Sequence, residues 1–274
     1  MSKTPHIAFI GGGNMARSLI GGLVKRGIEP STLHVAEPVA ALRDALARDF
    51  GVDVHEEASQ AAALAETWLF AVKPQVMRDL CSSLAAHARQ TQPLVVSIAA
   101  GITSTQLQRW LEAELPVIRA MPNTPALLGA GVTGLFATGN VQAGQREAAE
   151  QLLSAAGATV WTNDETLMDA VTAVSGSGPA YVFLLAEAME AAAREQGLPA
   201  DAARTLVLQT VLGAARMLTE SGEPPDELRR RVTSPNGTTQ AALETFEAGG
   251  FRPLVDAAIR AAAERGRQLS ADYD

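Results

Sequence analysis

A polar loop late in the chain places two hydroxyl side chains at the start of a helical pattern. The loop reads Val232-Thr-Ser-Pro-Asn-Gly-Thr-Thr239, and the helical run 240–247 follows it. Backbone N–H groups at a helix start are unpaired and carry partial positive charge, so they suit a carboxylate. With neutral hydroxyls and no strong acid or base, the loop favours binding of a small amino or imino acid over hydrolysis. The same residues also fit an ordinary capped helix start.

A glycine-rich turn follows the first apolar run and forms a second candidate site. It reads Gly11-Gly-Gly-Asn-Met-Ala16, the pattern G-x-G-x-x-A. Gly11 permits a tight turn, Gly13 lets a pyrophosphate approach the backbone, and Ala16 lets the helix pack on the strand. Because the motif ends a strand and opens a helix inside a βαβ pattern, it predicts dinucleotide binding.

The acid that ends the second predicted strand bears on the choice of cofactor. Glu37 stands where an acid usually bonds the adenosine ribose hydroxyls of NAD, and it would repel the 2′-phosphate of NADP. Arg43, about one and a half helical turns further on, would counter that repulsion. Both side chains also fit a solvated surface, so the sequence leaves the choice between NADPH and NADH open.

Further segments end predicted parallel strands, at the edge where open α/β sheets bind ligands. They are Ala71-Val-Lys-Pro74, Ile98-Ala-Ala-Gly101 and Met121-Pro-Asn-Thr-Pro125. Lys73 is predicted to approach the cofactor's ribose or nicotinamide and is a catalytic candidate, although a surface lysine is the alternative. Asn123 is predicted either to touch the nicotinamide amide or to hold a turn. The predicted cofactor-binding residues are Ile10, Gly11, Gly12, Gly13, Asn14, Met15, Glu37, Ala71, Val72, Lys73, Pro74, Ile98, Ala99, Ala100 and Asn123.

The elements that position these residues alternate between strand and helix up to about residue 162. Apolar runs predict strands at 6–10, 32–36, 52–54, 68–72, 94–98 and 117–121, and helical patterns predict helices at 14–26, 75–89 and 106–114. Thr103 with Gln106 has the spacing of a capping box. Short apolar strands joined by helices predict a mostly parallel, doubly wound sheet covered on both faces. The runs 131–138 and 158–161 are predicted as extra edge strands.

Long helices rich in Ala, Leu and Met replace the strands after about residue 163. They are predicted at 179–196, 200–220, 225–231, 239–248 and 252–268, which gives a first domain at 1–162 and a helical domain at 163–274. The run Ala180–Met189 is apolar nearly all round, so it is expected to be buried inside its domain or against a second subunit. The first long helix is preceded by the segment Ser175-Gly-Ser-Gly-Pro179. Its amides are predicted to contact the nicotinamide or the substrate; the alternative is that the segment only forms a bend between two helices.

Composition excludes several classes of protein. The chain has 274 residues, 47% apolar and 19% charged, so it is globular. A net charge of −8 without a dense basic run makes nucleic acid and anionic membranes poor partners. No apolar stretch reaches the roughly 18 residues of a membrane span, and the start Met1–His6 lacks the features of a secretory signal, so the cytoplasm is expected.

The small number of histidines and cysteines excludes further kinds of site. Its four histidines, at positions 6, 34, 55 and 87, show neither a metal-ligand spacing nor an obvious acidic partner, so no metal site is predicted. The single cysteine, Cys81, excludes an internal disulfide and is expected to be a small core residue. A hydride-transfer enzyme needs few catalytic side chains, because the cofactor carries the chemistry. Reduction of a protonated imine suits the base-poor loop at 233–239 better than reduction of a carbonyl.

Taken together, these motifs resemble pyrroline-5-carboxylate reductase over nearly the whole chain. The resemblance is carried by Phe9–Ala16, Ala71–Pro74, Val96–Gly101, Met121–Pro125, Asp169–Thr172, Ser175–Tyr181 and Val232–Thr239. It implies NAD(P)H-dependent reduction of 1-pyrroline-5-carboxylate to L-proline, by hydride transfer to the imine carbon, the last step of proline biosynthesis. It also implies an N-terminal Rossmann domain and an all-α C-terminal domain that interlocks with its twin in a homodimer, with rings of dimers in some members.

The resemblance also implies roles for individual residues. The amides of Thr238 and Thr239 would hold the substrate carboxylate, and the Thr239 hydroxyl would meet the ring nitrogen and assist protonation. Glu165 matches a substrate-site acid of the family and is therefore a catalytic candidate, while Ser234 and Val232 would shape the pocket. The substrate-binding residues are then Glu165, Ser175, Gly176, Val232, Ser234, Gly237, Thr238 and Thr239.

The sequence departs from the family pattern at several positions. Asn236 stands where glycine is usual, but asparagine tolerates left-handed backbone, so the loop is expected to survive. Gly12 replaces the more usual alanine, and Arg231 replaces a polar neutral residue at the pocket edge. Glu37 puts the family's common preference for NADPH in doubt.

Two other functions fit the same two-domain plan. One is a β-hydroxyacid dehydrogenase, which would need a lysine on a helix of the second domain, but residues 163–274 contain none. The other is a non-catalytic protein that senses the dinucleotide, against which the intact loop at 232–239 argues.

Overall fold

The computed structural model describes residues 5–273 and divides them into two compact units. The first unit contains the residues up to Ser177 together with those from Ala261 onward, and the second contains Gly178–Arg260. The predicted absence of a secretory signal rests partly on residues 1–4, which lie outside the described range. None of the described helices is both long enough and apolar enough to cross a membrane.

An eight-stranded sheet forms the centre of the first unit. Its strands lie in the order β3-β2-β1-β4-β5-β6-β7-β8 and are parallel, except that β7 runs antiparallel to β6. This confirms the mostly parallel, doubly wound sheet. The strands are β1 (Ile7–Ile10), β2 (Leu33–Ala36), β3 (Asp53–His55), β4 (Thr67–Phe70), β5 (Leu94–Ser97), β6 (Val117–Met121), β7 (Gly131–Ala137) and β8 (Gly157–Thr162).

The two runs predicted as edge strands behave differently. β8 does form one edge, whereas β7 pairs with both β6 and β8 and is therefore interior. The prediction for β7 was wrong because local sequence carries no information on which strands flank it.

Helices cover both faces of the sheet, and a buried apolar cluster lies on each face. Trp68 and Phe70 belong to one cluster and Phe9 and Leu69 to the other, as the alternation of side chains along each strand requires. The capping box at the start of α5 (Ser104–Trp110) is present, since Thr103 Oγ1 accepts from the Gln106 backbone amide and the Gln106 side chain accepts from the Thr103 backbone amide. The helices are α1 (Asn14–Lys25), α2 (Ala40–Phe50), α3 (Ala58–Ala62), α4 (Pro74–Thr91), α5 (Ser104–Trp110), α6 (Ala143–Ser154) and α7 (Met168–Val171).

The second unit is entirely helical, as predicted. Its first helix buries none of its residues within the chain: Phe183 and Leu184 are each 66% exposed. An apolar surface this large on a single chain indicates an interface with another polypeptide. The helices are α8 (Gly178–Glu195), α9 (Ala200–Glu220), α10 (Pro225–Arg231), α11 (Thr238–Ala248) and α12 (Phe251–Asp272), of which α12 continues into the first unit.

The compact units divide after Ser177, fifteen residues beyond the predicted end of the first domain at residue 162. Several of the intervening residues bond to distant parts of the first unit. Glu165 bonds to Arg119 on β6, and the Ser175 carbonyl accepts from Asn123. These bonds join residues far apart in the sequence, which composition and periodicity do not reveal.

Candidate active site

The glycine-rich turn has the shape that a dinucleotide pyrophosphate requires. Gly11 has a φ of +106°, and a Cβ there would lie 2.7 Å from the Ala71 carbonyl oxygen. The space beside Gly13 is open, since a Cβ at this position would meet nothing within 4 Å. Gly13 is the N-cap of α1, and neither a capping side chain nor an acidic residue occupies the first turn. The first amides of α1 therefore lack a side-chain cap, and the space beside Gly13 is open, which together suit a phosphate group.

The residues predicted to bind cofactor all lie in the first unit, around one edge of its sheet. They follow the carboxyl ends of β1, β2, β4, β5 and β6, where an open α/β sheet holds its ligand. Lys73 is exposed and is the N-cap of α4. Ile10 and Ala99 are buried and contribute main chain to this edge.

Glu37 is buried beneath the glycine-rich turn and is only 7% exposed. Its carboxylate accepts hydrogen bonds from the Gly12 and Val39 amides, each at 3.0 Å. Arg43 does not bond to that carboxylate; its guanidinium donates to the Glu37 and Pro38 carbonyls and to Glu56. The Glu37 carboxylate is thus held in place beside the glycine-rich turn. Arg43 already bonds to other groups and does not pair with this carboxylate.

Glu165 lies in a hydrogen-bonded network of the first unit. Its Oε1 accepts from the Ser104 amide at 2.7 Å and from Arg119 Nη1 at 2.9 Å, and its Oε2 accepts from the Ser104 hydroxyl at 2.6 Å. The Arg119 side chain is 8% exposed and that of Glu165 is 24% exposed. Glu165 therefore holds the start of α5 and neutralises a buried guanidinium, and both of its oxygens are engaged.

A second carboxylate lies near this network. Burial raises the pKa of Asp169, while the charges of Arg119 and Arg267 oppose the increase and Glu264 adds to it. Asp169 also packs against α12, because a Cβ on Gly266 would lie 2.9 Å from its Oδ1. Asp169 therefore contacts the end of α12, which itself belongs to the first unit.

The Asn123 side chain joins two other segments of the first unit. Its Oδ1 accepts from the Val132 amide at 3.0 Å, and its Nδ2 donates to the Ser175 carbonyl at 3.1 Å. Ser175 and Gly176 lie in a π-helical segment, Thr172–Gly176, before α8 begins at Gly178. Such π segments are rare and are frequent at functional sites.

The loop at 232–239 belongs to the second unit and leads into α11. Gly237 is the N-cap of α11 and has no side chain to bond to the first amides, and the first turn contains no acid. Asn236 has a φ of +57°, which confirms that asparagine tolerates the left-handed backbone at this position. Its amide donates to the Gln240 side chain, which fixes the turn before Thr238 and Thr239. The amides at the start of α11 are therefore positioned as an anion-binding group.

Arg231 at the edge of this loop is held by acidic neighbours. Its side chain lies 2.7 Å from Glu223 and 3.0 Å from Glu227, and these partners raise the pKa of the guanidinium. Val232, the C-cap of α10, and Ser234 are exposed in the chain.

Sequence reasoning did not identify Arg119 or Ser104 as partners of Glu165. The signal for Arg119 was present: a single charge interrupts the buried strand Val117–Met121, and a buried charge needs a partner. Ser104 gave no such signal. Cys81 is buried as predicted, and burial raises the pKa of its thiol to about 12, so it stays protonated.

Comparison with known proteins places both units in one family. A model described as pyrroline-5-carboxylate reductase dimerisation matches residues 165–269, and one described as NADP oxidoreductase coenzyme F420-dependent matches residues 6–101. The pyrroline-5-carboxylate reductase of Pseudomonas aeruginosa is 51% identical over 98% of each chain, and that of Haemophilus influenzae is 44% identical over 96% of this chain and 97% of its own.

Solved structures agree with this assignment. The pyrroline-5-carboxylate reductase of Coxiella burnetii is 40% identical, with a TM-score of 0.94 over 98% of this chain and 99% of its own. The Plasmodium falciparum pyrroline carboxylate reductase with NADP bound has a TM-score of 0.85 at 26% identity, over 97% of this chain and 98% of its own. Because identity is high along the full length and both units match, the chain belongs to the pyrroline-5-carboxylate reductase family.

Proposed function

We propose that the chain reduces 1-pyrroline-5-carboxylate to L-proline, with the loop at 232–239 as its substrate site. As a member of this family it is an oxidoreductase of proline biosynthesis that uses NAD(P)H. The observation that carries the assignment of the site is the start of α11, where Gly237 leaves the amides of Thr238 and Thr239 without a capping side chain. Such a helix start suits the carboxylate of a small imino acid.

The proposed roles of the loop follow from its chemistry. The Thr238 and Thr239 amides hold the carboxylate, and the Thr239 hydroxyl hydrogen-bonds to the ring nitrogen. The hydride forms the new C–H bond at the imine carbon while the C=N π electrons move to nitrogen, which ends as the amine. Since a protonated imine already carries its proton, the loop needs no strong acid, and Val232 and Ser234 shape the pocket.

The cofactor is held by the glycine-rich turn and the edge of the sheet around it. The turn Gly11–Gly13 and the first amides of α1 would bind the pyrophosphate, because the space beside Gly13 is open and no side chain caps the start of α1. The reduced nicotinamide supplies the hydride when it is bound. We propose that Lys73 and Asn123 position the nicotinamide end and that Glu165, Ser175 and Gly176 support the substrate site.

The first test is loss of nicotinamide absorbance when 1-pyrroline-5-carboxylate is added, in parallel with NADH and NADPH. Rapid oxidation is expected with at least one of them. Binding of the cofactor without oxidation would contradict the proposed reaction and favour a dinucleotide sensor.

Replacement of Thr239 by alanine is expected to lower kcat/KM for 1-pyrroline-5-carboxylate at least tenfold, a loss of at least about 1.4 kcal/mol of transition-state stabilisation. The reason is that alanine keeps the backbone amide but removes the hydroxyl from the ring nitrogen. The measurement is steady-state kinetics at saturating cofactor.

Two further substitutions at the same position separate the hydroxyl from the methyl group. Thr239→Ser keeps the hydroxyl and is expected to retain most of the activity, whereas Thr239→Val keeps the shape and is expected to behave like alanine. Unchanged turnover in Thr239→Ala would remove this residue from the mechanism.

Replacement of Glu37 by serine is expected to shift the preference toward NADPH, raising the NADPH to NADH ratio of kcat/KM several-fold. The substitution removes a fixed negative charge that repels a 2′-phosphate and bonds ribose hydroxyls. Glu37→Gln is the matched variant, because its carbonyl can still accept from the Gly12 amide while the charge is absent. A ratio that neither variant changes would mean that Glu37 does not face the adenosine ribose.

The second unit is the family's dimerisation domain. We propose that the functional domains divide near residues 162–163, that the exposed apolar face of α8 is covered in a homodimer, and that dimers assemble further into rings. The net charge of −8 supports a protein without nucleic-acid or membrane partners, for which we propose a cytoplasmic location. Light scattering coupled to gel filtration would give the mass of the assembly, and a dimer alone would contradict the ring.

A further inference from the structure

Three of the four histidines of the chain gather with one aspartate on the first unit. In the register of the sheet, His34 on β2 lies opposite Asp53 on β3, and Ala36 lies opposite His55. Residues that are partners, or two apart on one strand, point to the same face of a sheet. His34, Asp53 and His55 therefore project from the same face of the sheet, at its β3 edge. Asp53 and His55 are two residues apart on β3, whereas His34 comes from β2, much earlier in the sequence.

The distances among these side chains match those of a metal site. The His34 Nδ1 lies 3.0 Å and the His55 Nε2 lies 3.1 Å from Asp53 Oδ2, and one ligand atom from each residue lies within 4.8 Å of the others. Ligands at about 2.0–2.2 Å from a tetrahedral Zn²⁺ are about 3.3–3.6 Å apart. Small side-chain adjustments would therefore place all three around one ion. Within residues 5–273 this is the one such group of three.

The surroundings of His34 are those of a ligating imidazole. Its other ring nitrogen, Nε2, lies 2.8 Å from Nδ1 of His6, which stacks beside it. Metal-bound histidines usually donate their second ring N–H to a neighbouring acceptor, which fixes the tautomer. The His34 side chain is 6% exposed, whereas that of Asp53 is 49% exposed, so the group is partly preformed and is open to solvent on one side.

We propose that His34, Asp53 and His55 form a binding site for a borderline-soft divalent transition metal of the Zn²⁺ type. Two neutral imidazoles and one carboxylate carry a single negative charge and are a ligand set that Zn²⁺ accepts, with a fourth position for water. In the metal-free chain, His34 Nδ1 and His55 Nε2 can each donate an N–H to Asp53. When these two nitrogens bind the ion instead, each ring carries its proton on the other nitrogen. The proton on His34 Nε2 then faces His6. The ion would cross-link the edge strand β3 to β2 and plays no part in the proposed reaction.

Zinc binding to the untagged, full-length protein tests the site by calorimetric titration of ZnCl₂ at neutral pH. We expect one Zn²⁺ per chain, and at least about tenfold weaker binding in His55→Gln and Asp53→Asn. The matched control is His87→Gln, which removes the fourth histidine, on α4, and should bind as the wild type does. Added Zn²⁺ should raise the melting temperature of the wild type and of the control, but not of the ligand variants.

The outcomes that overturn the site are distinct. Failure of the wild type to bind Zn²⁺ would leave the group as a hydrogen-bonded patch that joins β2, β3 and His6, the residue before β1. Equal affinity in all four proteins would place the ion elsewhere. If His55→Gln is poorly folded without zinc, Asp53→Asn decides the question, because it keeps the shape of the side chain.

Discussion

Replacing Glu165 with alanine is expected to lower the free energy of unfolding by about 3–5 kcal/mol. The Arg119 guanidinium is nearly inaccessible to water, and Glu165 is the anion that bonds to it, at 2.9 Å. Alanine would leave that charge buried without its hydrogen-bonded counter-ion, with only the more distant Asp169 nearby, and would remove the acceptor from both the amide and the hydroxyl of Ser104. The measurement is urea denaturation at one fixed protein concentration, because association also contributes to stability.

An exposed ion pair of the same unit provides the comparison. Glu56 pairs with Arg43 at 3.1 Å, but its side chain is 66% exposed, so Glu56→Ala is expected to cost less than about 1 kcal/mol. The double variant Arg119→Met with Glu165→Leu should recover much of the loss, since it removes the buried charge itself. If Glu165→Ala costs no more than Glu56→Ala, Arg119 is neutralised by another group.

A further substitution, Glu165→Gln, distinguishes a role of Glu165 in stabilising the fold from a role in contacting the substrate. Glu165→Gln keeps the shape of the side chain and an oxygen for Ser104. If Glu165 acts only on the fold, the kcat of the folded protein should change little in this variant. A large fall in kcat/KM with stability retained would support the substrate-site role that the family resemblance implies.

Replacing Gly11 with alanine is expected to weaken dinucleotide binding by about 2 kcal/mol, or roughly thirtyfold. The φ of +106° at this position is costly for a residue with a Cβ, and that Cβ would lie 2.7 Å from the Ala71 carbonyl oxygen. A backbone atom cannot move away cheaply, so the turn would shift from the position that receives the pyrophosphate. Titration of NADPH fluorescence measures the dissociation constant.

Gly27→Ala is the matched control for this prediction. Gly27 follows α1 and also has a positive φ, +88°, but a Cβ there would meet nothing within 4 Å. Its substitution should lower stability through backbone strain and leave NADPH affinity unchanged. Equal affinity in Gly11→Ala and the wild type would contradict the role of Gly11 as the close-approach glycine.

The elements of this fold could be predicted because their signals are local. A short, mostly apolar run between two prolines locates β6 at Val117–Met121, and a helical pattern locates α9 at Ala200–Glu220. The grouping of the predicted cofactor residues follows from the same signals, because the carboxyl ends of parallel strands meet at one edge. The features that required the structure are pairings across long distances in sequence, such as Arg119 with Glu165 and His34 with Asp53.

Strand register accounts for the largest difference between sequence and structure. From sequence spacing alone, no acidic partner was predicted for His34. The prediction was wrong because the alignment of β2 with β3 places Asp53 beside His34. Similarly, the position of β7 inside the sheet depends on which strands flank it and not on its own composition.

The last turns of α12 give the chain an unusual order of maturation during protein synthesis. Residues from Ala261 onward belong to the first unit, where the Ser270 carbonyl accepts from Gln106 and the Tyr273 hydroxyl accepts from Gln75. A nascent polypeptide generally folds its N-terminal domain first, as that domain leaves the ribosome. Here the nucleotide-binding half cannot acquire its full set of contacts until translation has passed residue 273, so the whole helical second unit is synthesised before the first unit can be completed.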